Sequence, residues 1–488
     1  MHSARRLPLG WTAAARTARN VVNGAYATAR SMAGVRPPVR SLPHRVRPMV
    51  AVPAMAAAAV SAISTAMTAA VAAALLTATL VAPAQAADTI TLTVWDFKSS
   101  DPTLAPYFEQ AAHDFETAHP GVKVQHVAQP HDQYYTLLGT AIAANRGPDV
   151  VLLHGGTETT ERGDALVPLN SSVADLKNTL VGWDAFTAKN GNIYAVPITL
   201  QGMVVYYNKD LYKKAGLDPE KPPKTWAELD ADCKQIISKA KVACFALGNK
   251  EGFGAEFFLS TAAANFWTDK QQADWANGTL AWSDPAVSKI LHLWVDTAKA
   301  GWYPRGSNST AMFPDEFEAF ERGSAANVTG LISDVAHWKQ FEDFLGADKI
   351  GSFLPVSISP DGKPADPGQA LKLPLAGGIG WGVTRWTPHK DLAIAYVKSL
   401  ASKPHLETFF KVGGAIVADQ QFDRSKVDSP NGKKILEWIA CCRAPMAHNE
   451  MSTAVRNAFH RDSQGLFDGS LSIDKATAEL DALRTKSK

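Results

Sequence analysis

From Ile90 onward, apolar and polar positions alternate between two periods. Ile90 to Trp95 is a short run rich in β-branched residues, as a strand requires. Asp101-Pro102 then supplies an N-cap followed by proline at the first helical position, and Tyr107, Phe108, Ala111, Ala112 and Phe115 recur at helical spacing. His119-Pro120-Gly121 stops that helix, after which Val122 and Val124 alternate as a second strand. A further helix from about Gln133 to Ala144 ends before Gly147-Pro148, and Asp149 opens a segment to Leu153 whose continuous apolar residues are typical of a strand buried on both faces. This βαβαβ order predicts an α/β fold with a parallel sheet flanked by helices.

The pattern changes between Gly191 and Asn208, where a turn, an extended run interrupted by Pro197 and a Val/Tyr-rich strand follow one another within a few positions. Such a segment suits a chain leaving one lobe and entering another. Further on, Thr225 and Glu228 form a capping box after the extended Pro222-Pro223. Asp284-Pro285 opens a helix whose buried stripe is Val287, Ile290, Leu291, Trp294 and Val295, and Gly301 is placed to end it. Gly377, Gly378, Gly380 and Gly382 let a backbone run close to a ligand or to a neighbouring strand.

The N-terminal region changes the charge picture. Residues 1 to 48 hold nine arginines and no lysine or acid, and Val50 to Ala87 carries no charge at all. A basic region, an Ala-rich apolar region and Ala84-Gln85-Ala86 together read as an export signal, residues 1–86, cleaved after Ala86 into the periplasm. The leader is longer than usual, so Met49, Met55 or Met67 are alternative starts, and an uncleaved membrane anchor is the competing reading. The whole chain has 49 basic and 47 acidic residues; removing the nine arginines leaves the remainder mildly acidic. A basic footprint for nucleic acid is therefore missing. About 400 remaining residues exceed what one core supports, so two lobes are expected.

Export makes disulfides available to the four cysteines. Cys233 falls in a predicted helix and Cys244 in the strand after it, a separation that suits a helix-to-strand staple. Cys441 and Cys442 are adjacent; bonding to each other, staying reduced and bridging elsewhere all remain open.

Eight segments in order carry a resemblance: FETAHPGVKV at 115–124, GPDVVLL at 147–153, GNIYAVP at 191–197, YYNKDLYKKAGLD at 206–218, KTWAEL at 224–229, GGIGWGV at 377–383, AIAYVKSLASKPHLETFF at 393–410 and GLFDGSLSIDKATAEL at 465–480. Together they resemble the extracytoplasmic solute-binding proteins of ABC importers, in the branch that includes maltose-, oligosaccharide- and glycerol-phosphate-binding proteins. The resemblance implies a two-lobe periplasmic-binding-protein fold, each lobe a mainly parallel sheet flanked by helices, with a ligand cleft at the hinge. The first lobe would hold residues 88–197 and 373–418, and the second 198–372 and 419–488. It also implies a monomer that captures a sugar or small oligosaccharide by hinge closure and delivers it to the transmembrane permease. A glycerol-phosphate-type polyol is the alternative ligand, for which Arg385 is the nearest candidate. A membrane sensor is the alternative partner.

A sugar site needs aromatic platforms and a rim of hydrogen-bonding groups. Selected by place, the ligand-binding candidates are Trp95, Asp96, Gly156, Thr157, Glu158, Gln201, Phe253, Glu256, Trp267, Asp334, Trp338, Gly378 and Trp381. Where Leu153 stands, the maltose-binding branch tends to carry an aromatic, which argues against maltodextrin specificity. No GxSxG elbow, HExxH helix, P-loop or true GxGxxG occurs, so neither a catalytic motif nor a cofactor is indicated. His113, His119, His126 and His131 are spread over different predicted elements and read as surface histidines rather than as zinc ligands. A secreted glycoside hydrolase is the rival class, and it would have to use Asp96 and Asp334 as its paired carboxylates.

Overall fold

The computed structural model describes residues 89–333, 336–359, 363 and 370–486, all within one compact unit, Pro83–Lys488. The expected export signal, 1–86, lies outside the described residues, as does Asp334. Eleven strands occur in the described residues: β1 Ile90–Asp96, β2 Val122–Ala128, β3 Val150–His154, β4 Val196–Pro197, β5 Leu200–Asn208, β6 Ala243–Phe245, β7 Ala325–Leu331, β8 Ile350–Phe353, β9 Leu373–Gly377, β10 Ile379–Val383 and β11 Arg443–Ala444.

They build two sheets. The first has the order β2-β1-β3-β10-β4, and the second β11-β9-β5-β7-β6 with β8 also paired to β5. The α/β two-lobe expectation holds, but the sheets are mixed rather than mainly parallel. In the first, β1 is parallel to β2 and β3 while β10 is antiparallel to β3 and β4; in the second, β5 is antiparallel to β7, β8 and β9. The reason is the crossings: β5 and β10 each arrive from the other lobe, so neither is fed by the right-handed helical connection that makes strands parallel.

Each sheet has its own core. Leu92, Val94, the run Val150–Leu153, Phe186, Trp381 and Tyr396 pack in the first lobe, while Met203, Tyr206, Phe317, Phe320, Val328 and Phe341 pack in the second. A third cluster, around Trp267, Trp275, Trp282 and Trp294, cements the helices at the far end of the second lobe.

Among the described residues the chain passes between lobes three times. Ile198-Thr199 joins β4 to β5, Gly378 joins β9 to β10, and the segment 415–418 returns beside them, with Leu200 N donating to Ile416 O and Ala418 N to Ile198 O. β9, which begins at Leu373, pairs with β5 and β11 of the second sheet, and β10 pairs with β3 and β4 of the first. Gly378 is required between them, since a Cβ would collide with Thr199 Oγ1.

Local signals act as their chemistry dictates. Thr225 and Glu228 form both bonds of a capping box, and Asp284 caps the helix Pro285–Lys299, which Gly301 at φ +73° follows. Asp101 differs: it caps an isolated turn, and the helix Ala105–Ala118 starts later, after Leu104 N has bonded back to Asp101 O. Cys233 and Cys244 are joined, tying the helix Trp226–Gln235 to β6 with their Cα atoms 5.0 Å apart. Cys441 and Cys442 are joined to each other at the end of the helix Pro430–Cys441.

Candidate functional site

A cavity of about 570 Å³ opens between the two lobes. That lies within the usual range of small-molecule sites, about 300–1,000 Å³. The first lobe contributes the ends of its strands, Phe97 after β1 and His154 at the end of β3, where open α/β sheets place ligands. Phe97 stacks on His154 at 4.7 Å and meets the edge of His131 at 5.0 Å. From the second lobe, Phe253 and Phe313 reach His131 at 6.3 and 6.0 Å between ring centroids. Aromatic faces thus come from both sides. Phe253 is presented by Gly252, whose φ of +84° opens the helix Phe253–Phe266.

Behind these rings runs a chain of alternating charge. Arg162 Nη1 lies 2.8 Å from Glu158 Oε2, Glu158 Oε1 lies 2.9 Å from Arg456 Nη1, and Arg456 Nε lies 3.1 Å from Glu256 Oε1. His460 Nε2 closes the series at 2.7 Å from the same Glu256 oxygen. Glu158 and Arg162 belong to the first lobe, the other three to the second, so the chain bridges the cleft. Burial opposes the charge on Glu256, but Arg456 and His460 outweigh it and hold the carboxyl far below the usual range. Burial likewise works against the Arg456 guanidinium and is overcome by Glu256 and Glu158. His448, sealed behind Arg456, is pushed down to about 4 by burial. Its Nδ1 meets Ser260 Oγ at 2.8 Å.

Of the residues selected from sequence, Glu158, Gln201, Phe253 and Glu256 line this cavity. Gly156 and Thr157 lie beside it at a contact between the lobes, where Thr157 Oγ1 donates to Met451 O. The others are elsewhere. Asp96 is fully buried and spends its carboxylate on Lys98 N, Ser99 N and His126 Nδ1 at 2.8, 2.6 and 2.9 Å; burial opposes its ionisation, and these partners, His126 foremost, prevail to lower its pKa. Trp95 packs against the first core. Trp381 is fully buried there, Trp338 in the second core and Trp267 in the third, where its Nε1 donates to Ala286 O. These indoles pack within their lobes, and none of them lines the cavity.

Several lining residues escaped sequence reasoning: Phe97, Arg162, His448, Arg456 and His460. A signal was present. Glu158 and Arg162 stand at i,i+4, as do Arg456 and His460, the latter pair in the first two turns of a helix, Thr453–Asp468, whose other face is apolar. Among the described residues no three His, Cys, Asp or Glu side chains are grouped to hold a metal ion, and no helix is long and apolar enough to cross a membrane.

With this geometry in hand, similarity to known proteins narrows the reading. The family described as bacterial extracellular solute-binding protein matches residues 110–427. The sn-glycerol-3-phosphate-binding periplasmic protein UgpB of Salmonella paratyphi A is 28% identical over 286 residues, covering 55% of this chain and 62% of the relative. UgpB of Yersinia enterocolitica is 26% identical over 284 residues, with 55% and 63% covered. The chain thus spans a little under two thirds of the length of these relatives. Among solved structures, a chitin oligosaccharide binding protein superposes with a TM-score of 0.73 at 19% identity, covering 82% of this chain and 99% of that one. Maltose-bound T. maritima MalE3 gives 0.65 at 19%, with 82% and 100% covered. At such identities these structures speak for the fold.

Proposed function

The chain belongs to the bacterial extracellular solute-binding protein family, and from that premise we propose that it captures a neutral sugar or small oligosaccharide outside the cytoplasmic membrane and delivers it to the permease of an ABC importer. It works as a monomer, with no nucleic-acid partner, and its lobes close about the crossings at 198–199, Gly378 and 415–418.

The observation that carries the neutral ligand is the state of the two arginines. Arg162 and Arg456 are the guanidiniums of the cavity wall, and each is already matched by Glu158 or Glu256. Counting Lys98, the lining has three bases against Asp132, Glu158, Glu251 and Glu256. A phosphate dianion would enter a wall whose fixed charge is, histidines apart, slightly negative, and taking a guanidinium from its carboxylate would strand a buried charge. A sugar asks for what the wall offers: rings for its C–H faces and amide, imidazole and carboxylate groups for its hydroxyls. The UgpB likeness favours glycerol phosphate, and against it stands Arg385, which is outside the cavity with Nε donating to Leu166 O at 2.8 Å.

The test is a thermal-shift panel of neutral mono- and oligosaccharides and sn-glycerol 3-phosphate on residues 87–488. A ligand at about 100 times its Kd stabilises by about 2.7 kcal/mol, enough to raise Tm visibly. A rise with glycerol phosphate and with none of the sugars overturns the neutral-ligand reading. Labelled oligosaccharide recovered intact after long incubation fits a carrier; cleavage would make the protein a hydrolase. Asp96, one of the two carboxylates that hydrolysis would need, is sealed away from the cavity.

A further inference from the structure

The lobes also meet just outside the cavity. One turn of the first lobe, the helix Thr157–Thr160 with Glu161 at its end, lies against the start of the helix Thr453–Asp468 in the second. Three contacts stand side by side. Thr157 Oγ1 donates to Met451 O, Glu158 pairs with Arg456, and Glu161 Oε2 accepts from both Thr453 N at 2.9 Å and Thr453 Oγ1 at 2.7 Å. The approach is close enough to require glycine at 156: its φ is +80°, and a Cβ there would stand 2.5 Å from Asn449 O.

The Glu161 contact differs in kind from an ordinary surface pair. The first N–H groups of a helix have no partner within it, and Ser452 Oγ accepts from Val455 N at 3.3 Å. The Thr453 N–H therefore takes its acceptor from the other lobe, and that acceptor carries a negative charge at the positive end of a sixteen-residue helix. A carboxylate receiving two donors from one residue is also directional, so it holds only when the lobes are at this separation. Separating them returns Glu161 and Thr453 to water.

We propose that Glu161 is a positioning residue for ligand binding: a carboxylate outside the ligand cavity that fixes how firmly the lobes close, by capping the second lobe's helix across the cleft. Its effect on affinity rests on the carrier function proposed above; its effect on closure does not. Because the clasp is made by groups of the chain alone, it adds the same increment whatever the cavity holds. It forms with the cavity empty or filled, and once a ligand is inside it slows release.

The experiment uses residues 87–488 with Glu161→Gln and Glu161→Ala. Small-angle X-ray scattering of the unliganded proteins reads lobe separation, and binding kinetics with the sugar that gives the largest thermal shift reads affinity. The expected result is a larger radius of gyration for both variants, with Kd weakened about three- to tenfold through faster dissociation and an almost unchanged association rate. Ala exceeds Gln, since the amide keeps one acceptor oxygen. Raising salt should weaken the parent's binding toward that of Glu161→Ala while leaving the variant nearly constant. Unchanged scattering in both variants overturns the clasp, whether or not any sugar binds. Changed scattering with no sugar response would keep the clasp and overturn the ligand instead. A lower Tm with parental scattering and dissociation rate would mean that Glu161 merely stabilises the fold.

Discussion

Trp381 and Phe253 are both aromatic residues flanked by glycine, and the structure treats them oppositely. Trp381 lies in β10 between Gly380 and Gly382, hydrogen-bonded to β3 on one side and β4 on the other, and is fully buried. Phe253 lies between Gly252 and Gly254 at the first position of a helix and lines the cavity between the lobes. The glycines do different work. A Cβ at 380 would press on Phe186 and Val196 O, and one at 382 on Leu153 and Tyr194 O, so those glycines admit neighbours that then seal the indole. Gly252 also admits a close neighbour, His460, but in addition it supplies a left-handed turn that ends the chain's approach and points the next ring outward. What separates the two aromatics is the left-handed turn before Phe253, which starts a helix at the cavity, against the strand partners on both sides of Trp381.

The hardest test of that contrast is Trp381→Ala. Removing a fully buried indole should cost about 3–5 kcal/mol of folding stability. Denaturant titration of the unliganded protein measures it, with affinity in the surviving folded fraction unchanged. A loss under 1 kcal/mol accompanied by weakened binding would return Trp381 to the ligand site.

The same contrast explains what was legible in the sequence. The period of the apolar residues exposed the first three strands and their helices and the crossover at 191–208, because period and turn chemistry are local, whereas the return near Gly377–Gly382 came only from the family resemblance. Sheet polarity was not, since antiparallel pairing of β5 and β10 depends on strands brought together from distant parts of the chain. Cavity aromatics were legible only where a helix start displayed them, as at Phe253. The charge chain was missed because Glu158, Glu256 and Arg456 are separated in sequence and become partners only across the cleft. Tryptophan was the wrong guide: its size suits a sugar, but it suits a core equally.

His448 is an intermediate case, on the cavity wall yet buried, and acid should reveal it. In the unfolded chain it takes up a proton near its ordinary 6.5; in the folded protein burial delays this to about 4. Between those values the unfolded state binds more protons, so stability is full above about pH 6.5 and falls as pH drops toward 4. The shift corresponds to about 3 kcal/mol. Glu256 adds a second loss below its ordinary 4.5, since its folded carboxyl is held low and its stabilisation goes as pH falls through that value. Denaturant titrations at pH 7 and 4.5 should therefore differ in the parent and differ less in His448→Gln. Equal pH slopes in the two proteins would show that the ring titrates as if exposed.

The smallest and most discriminating effect belongs to Phe253→Ala. The ring is half-buried and touches His131 of the first lobe and His460 of its own, so truncation removes little that the fold depends on. Burial of its remaining face is completed only by a ligand held between the lobes. The expected cost is about 1–3 kcal/mol of affinity for the bound sugar, as lost apolar burial and aromatic contact. The unliganded protein should lose less than about 1 kcal/mol of stability, in line with a residue already partly in water. Titration calorimetry and apo melting of this one variant read both quantities. Were the melting loss to match that of Trp381→Ala while affinity held, the cavity would be a packing defect and the ligand would bind elsewhere. A loss confined to affinity would fix Phe253 as the platform.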